Sequence, residues 1–159
     1  MSTLPVITNP NPHLRRQAKE ISADKIKTKK LQEFCLDMAE TMLKKDGVGL
    51  AATQVDENIR LVTIKDKEAI LILINPKITK KSFARVWGEE GCLSVPGVYG
   101  QVRRHKKITC LYLDQAGKPK KIEASDMLAR IIQHEVDHLD GILFIDKAKD
   151  LTEEKQKNE

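Results

Sequence analysis

The sequence predicts an α+β domain, in which a few mostly antiparallel short strands are framed by helices. Three observations carry that reading. Two stretches have the apolar spacing of amphipathic helices, one early and one late. The stretch between them breaks into short segments rich in β-branched and aliphatic residues, bounded by turn residues. The chain has 159 residues, the size of one domain with a single core.

In chain order, residues 5–20 read as an irregular lead-in punctuated by Asn9-Pro10 and Asn11-Pro12. Over 28–45, Leu31, Cys35, Met38, Ala39 and Met42 recur at three- and four-residue spacing, a helix that stops before Asp46-Gly47. Segments 59–64, 69–74, 83–87 and 108–113 read as strands, and 120–123 adds another. Asp66-Lys67 and residues 114–117 read as turns between antiparallel neighbours. Ser125 is a candidate N-cap for a helix over 126–139, and Gly141 suits its C-terminal stop. Residues 147–159 are almost all polar and read as a frayed helix or a disordered tail.

Composition narrows the function classes. Hydrophobic residues are 40% and charged residues 32%, a soluble globular mix, and aromatics at 4% require an aliphatic core. The net charge of +5 comes from basic residues scattered along the chain, with no aromatics interleaved for base stacking. That is a solvated surface, not a specific nucleic-acid interface. Three cysteines, an odd count, argue against a disulfide scaffold. The start lacks a secretion signal, and the apolar run 69–74 is too short to span a bilayer. The expectation is a cytoplasmic protein with no membrane partner, whose cysteines are free to ligate a metal.

The strongest local signal is His134-Glu135-Val136-Asp137-His138. On a helix, residues four apart share a face, so both imidazoles can reach one ion. Glu135 can then touch a metal-activated water without ligating, as in an HExxH hydrolase. The apolar flanks Leu128, Ile131, Ile132, Val136 and Leu139 imply a buried helix, where His and Glu need partners. A catalytic site also needs a third ligand and an open position. Cys92, after Gly91, offers the softest donor. A buried structural cysteine is the plain alternative, and Asp146, Glu153 and Glu154 lie downstream as other candidates. Spacing alone leaves the choice open. The turn at 47–54 has two glycines, two small alanines and the amide of Gln54, and does not match a phosphate loop.

Taken together, the segments Gly47-Val48-Gly49-Leu50-Ala51-Ala52-Thr53-Gln54, Glu90-Gly91-Cys92-Leu93-Ser94 and 133–141 resemble the three ordered motifs of peptide deformylases, in the shorter bacterial form. The resemblance runs from Leu14-Arg15 and Ala18 to about Phe144. It implies a single catalytic domain over 1–146, with the HExxH helix central, and removal of the N-formyl group from formyl-methionine on new polypeptides. The implied ligands are Cys92, His134 and His138, holding Fe(II), with Zn, Ni or Co as substitutes. Glu135 would move the proton, while Gln54 and the Leu93 backbone N–H would stabilise the oxyanion. Val48, Met127, Arg130 and Ile131 would line the methionine pocket, although plain core filling explains Met127 equally well. Backbone at Gly49, Glu90 and Gly91 would pair with the substrate peptide as an added strand. A monomer is expected, with a transient ribosome contact conceivable through the tail. Arg103 stands where the family usually has proline, which bears on loop stiffness. Arg104 is expected to pair with a carboxylate near the ligands, Asp137 being the candidate. Two competing readings remain: another HExxH metallopeptidase with a downstream third ligand, and a non-catalytic, metal-stabilised binding protein.

Overall fold

A computed structural model describes residues 2–154. The expected central stretch of strands is present, organised as two sheets. Strands β1 (Gly49–Ala51), β2 (Leu61–Asp66), β3 (Ala69–Lys81), β6 (Lys107–Leu113) and β7 (Pro119–Ser125) form an antiparallel sheet in the order β1-β2-β3-β6-β7. Strands β4 (Arg85–Cys92), β5 (Val95–His105) and β8 (Lys149–Glu153) form a second sheet in the order β4-β5-β8. The helices are α1 (Ala23–Ile26), α2 (Lys29–Lys44) and α3 (Asp126–Leu139).

Two aliphatic layers hold the large sheet. On one face Leu31, Cys35, Met38 and Met42 of α2 pack on Leu50, Leu61 and Ile74. On the other, Ala129, Ile132, Val136 and Leu139 of α3 pack on Val62, Ile64, Leu73, Ile108 and Cys110. This explains why β2 is buried from Leu61 to Ile64 without alternation: both its faces are covered. The polar side of α3 turns to the small sheet, where the Gln133 side chain exchanges hydrogen bonds with the His105 backbone N–H (3.0 Å) and C=O (2.9 Å). The central helix thus has an apolar face on one sheet and a polar face on the other, which is how Gln133, His134, Glu135 and His138 come to be buried.

Helix ends follow local chemistry. Thr28 caps α2 by accepting from the Leu31 N–H. Ser125 is the N-cap position of α3, but its hydroxyl makes no cap bond; the Asp126 N–H bonds instead to the Lys106 carbonyl. The C-terminus closes in a Schellman arrangement, with the Ile142 N–H on the Asp137 carbonyl and the Gly141 N–H on that of His138. Gly141 has φ 75°, as expected of the stop.

Three strand readings need correction. Phe83 is fully exposed in the turn before β4, so that strand begins later and runs on to Cys92. Strand β5 was not anticipated. Its Pro96, Gly97 and Gly100 resemble turn residues, and one inward position is the charged Arg104. Arg103 therefore stands within a strand, paired with Trp87, and not in a loop. The tail, expected to be frayed or disordered, forms β8 over residues 149–153. Its side chains are all exposed, and backbone pairing to the free edge of β5 is what orders it. Residues 155–159 lie outside the described residues. Among the described residues, no helix is long and apolar enough to cross a membrane.

Gly141 also fixes the lead-in, because a Cβ there would run into the Arg15 carbonyl. Gly141→Ala is expected to lower stability by about 2 kcal/mol, from left-handed strain plus this clash. Urea denaturation checks it, and an unchanged midpoint would contradict it.

Candidate metal centre

Strand periodicity and helix periodicity meet at one point. Glu90 and Cys92, two apart on β4, face α3 together, and His134 and His138, one turn apart, face back. The ligand atoms of Cys92, His134 and His138 all lie within 4.8 Å of one another. Cys92 Sγ is 3.2 Å from His138 Nε2, which is 3.3 Å from His134 Nε2. Around a tetrahedral ion with ordinary Zn–S and Zn–N bond lengths, such pairs sit about 3.3–3.6 Å apart. The three donors therefore fit a single metal with one position left open. The other candidates for third ligand are not part of this cluster: Asp146 pairs with Arg15, and Glu153 and Glu154 are exposed.

Glu90 organises this centre. Its Oε1 accepts from His134 Nδ1 (2.8 Å) and Arg104 Nη2 (2.9 Å), and its Oε2 from Arg104 Nε (3.0 Å) and Arg130 Nη1 (2.7 Å). An ionised carboxylate only accepts, so His134 carries its proton on Nδ1 and turns Nε2 to the other ligands. Burial by itself would raise the Glu90 pKa, but the His134 and Arg104 hydrogen bonds overcome it and hold the carboxyl well below its usual range. Arg104 also reaches Asp137 through Nη1 (2.5 Å), the pairing expected from the sequence, and Lys147 sits 3.0 Å from the same carboxylate. His134 stacks on Phe144 at 6.1 Å. Burial would lower the His134 pKa, yet with no ion in place the Cys92 and Glu90 hydrogen bonds push it up to about 10, so an ion binding at Nε2 must displace a proton there. His138 goes the other way, because burial and the neighbouring His134 hold it well below the usual value. An imidazole kept neutral is the form that ligates.

Glu135 lies beside the ligands and not among them. Its Oε1 is 3.9 Å from His134 Nε2, too far for a hydrogen bond, and Oε2 is buried with no protein partner among the described residues. Burial pushes its pKa up to about 7, against the pull of His134. A Cβ on Gly49 would fall 2.7 Å from Glu135 Oε1, so the first motif must be glycine there to admit the carboxylate. Gln54 is buried with its amide fixed: Oε1 accepts from the Ala51 N–H (2.9 Å), and Nε2 points to Ser94 Oγ (3.1 Å) and Cys92 Sγ (3.5 Å). Leu93 opens the turn between β4 and β5. The lead-in ties these pieces together, with the Ile7 N–H on the Gln54 carbonyl and the Asn9 N–H on that of Ser94.

The expected substrate residues are more dispersed. Val48 and Met127 are exposed, while Ile131 is buried in the layer under the large sheet. The Arg130 head group is bound to Glu90 and to two strand carbonyls, leaving only its stem for apolar contact. Sequence reasoning missed the Glu90 carboxylate, weighing only its backbone. The signal available was the Glu90-x-Cys92 spacing, which puts both on one strand face. A shallow depression of about 490 Å³ on β3, β6 and β7, lined by Lys80, Lys81, Lys107 and Glu123, lies away from this chemistry and gathers no buried polar group.

Arg104→Ala is expected to cost about 3 kcal/mol, because it strips two hydrogen bonds from the buried Glu90 and one from Asp137. Chemical denaturation measures it; a loss under 1 kcal/mol would contradict the pairing as described.

Comparison with known proteins agrees with this geometry. The family model described as polypeptide deformylase matches residues 3–154. A peptide deformylase of Stenotrophomonas maltophilia is 45% identical over 157 residues, covering 97% of this chain and 92% of that protein. One from Thermoanaerobacter pseudethanolicus is 52% identical over 123 residues, 77% of each. Among solved structures, a class I type b peptide deformylase from Acinetobacter baumannii bound to Met-Ala-Ser has TM-score 0.90 and 35% identity, covering 92% of this chain and 99% of that one. A Synechococcus elongatus peptide deformylase in complex with actinonin has TM-score 0.89 and 39% identity, covering 94% and 81%. With a matching model over nearly its whole length and relatives this similar, the chain belongs to the peptide deformylase family of metal-dependent hydrolases.

Proposed function

We propose that the protein removes the formyl group from the N-formyl-methionine of newly made polypeptides and releases formate, using Fe(II) held by Cys92, His134 and His138. Zn, Ni or Co suit the same donors. The observation that carries the reading is the Glu135 carboxylate: buried beside the ligand triangle, outside the donor set, with one oxygen unpartnered among the described residues. A carboxylate held there, with an oxygen free of protein partners, is placed to take a proton from water and return it to the leaving amine. When bound, the ion supplies a Lewis acid that makes water nucleophilic near neutral pH.

The chain's own groups account for the other roles. The Gln54 amide, already turned toward the ligands, and the Leu93 backbone N–H donate to the oxyanion formed from the formyl carbonyl. Among the described residues, strands β1 and β4 each have a neighbour on one side only. Backbone of Gly49 on one, and of Glu90 and Gly91 on the other, can therefore pair with an extended peptide. Val48, Met127, Ile131 and the stem of Arg130 form the apolar pocket for the methionine side chain. The Met-Ala-Ser carried by the A. baumannii relative supports this choice, since a methionine-first peptide is what the reaction leaves. Cys35, Cys92 and Cys110 are all free, which fits a reducing cytoplasm. The protein acts there as a monomer, on chains at or leaving the ribosome.

The test is formate release from a formyl-Met peptide, run anaerobically with Fe(II). Wild type is expected to release formate, and Glu135→Ala to do so on the order of 10²–10⁴-fold more slowly while retaining metal. No release by wild type, or an undiminished rate in the variant, would overturn the proposal.

A further inference from the structure

We propose that Arg130 is a positioning residue for the metal centre: its head group sets the orientation of Glu90, and through Glu90 that of the His134 ring. The inference rests on the metal-site reading above. Arg130 stands one helical turn before His134, on the same face of α3. Its guanidinium makes three hydrogen bonds, to Glu90 Oε2 (2.7 Å), the Val102 carbonyl of β5 (2.9 Å) and the Val86 carbonyl of β4 (2.8 Å). One side chain from the helix that bears both histidines thereby spans both strands of the hairpin that bears Cys92.

Two features separate this from an ordinary ion pair. Arg104 already gives Glu90 two hydrogen bonds, so a counter-charge is present without Arg130. What Arg130 adds is a second donor on Oε2 from the helix that carries the histidines, tying the carboxylate to α3 and to the Val86 and Val102 carbonyls at once. The guanidinium also lies against the backbone of Gly88. A Cβ at residue 88 would fall 2.8 Å from Cζ and 2.9 Å from Nε and Nη2 of Arg130. Gly88 and Arg130 are therefore matched: the strand lacks a side chain where the planar head group rests. A lysine offers a point charge and cannot reach three acceptors in this fork geometry.

The experiment titrates metal-free protein with Co(II) by chelator competition and records the thiolate-to-cobalt absorption. Arg130→Met keeps the apolar stem and removes the head. It is expected to weaken Co(II) binding about 10–100-fold, the usual effect of losing a group that orients a ligand, and to shift the absorption band. Deformylase kcat should fall while KM, which reads the retained stem, stays within about 2-fold. Arg130→Lys should fall between. Gly88→Ala, which displaces the guanidinium without removing it, should match Arg130→Met, and the double variant should be no worse than either single one. A folded Arg130→Met with wild-type Co(II) affinity and spectrum overturns the proposal. If that variant does not fold, Arg130→Lys and Gly88→Ala decide it by the same criterion. Absence of Co(II) binding by wild type instead overturns the metal reading itself.

Discussion

The hydrogen bond between Glu90 and His134 is the constraint on which the rest depends. It joins β4 to α3 at the depth of the ligands, and the contacts of Arg130 to Glu90 and to the Val86 carbonyl reinforce the same junction. One carboxylate receives four donors, from His134, Arg104 twice and Arg130. Such a group is stable when buried only if every partner is present, so the surrounding polar face of α3 is over-determined. The apolar face of the same helix is fixed by aliphatic packing on the large sheet. Cys92 and the two histidines meet because these two layers set the helix from opposite sides.

The second constraint is close approach. Glu135 reaches its place only because Gly49 has no side chain, and the Arg130 guanidinium lies where Gly88 leaves space. Gln54 is held by the Ala51 N–H and aimed at Cys92 and Ser94. The first motif is thus a wall of the site, made from small residues so that groups on α3 and β4 can come against it.

How much of this was legible in the sequence depends on how local the cause was. The helix over 126–139 and its Gly141 stop were readable, because period and termination are short-range properties. The same holds for the two histidines and the glutamate on one helix. Cys92 was not fixed by spacing, since a strand forty residues away must be brought to the helix; the resemblance of all three motifs supplied that link. The Arg104–Asp137 pair was anticipated as a ligand-supporting contact, and Arg104 proved also to bind Glu90. The bridging role of the Glu90 side chain was missed because a lone glutamate in a sequence looks like surface. Strand β5 was hidden by its glycines, proline and inward arginine. Strand β8 was hidden because its order comes from backbone pairing and leaves no hydrophobic pattern.

The central claim is a metal held by one sulfur and two imidazole nitrogens. X-ray absorption at the edge of Zn(II) loaded into the protein reads that donor set directly. The account predicts one sulfur at about 2.3 Å and two nitrogens at about 2.0–2.1 Å, with the sulfur shell lost in Cys92→Ala. A spectrum with no sulfur shell in the wild-type protein, or one unchanged in Cys92→Ala, would contradict it.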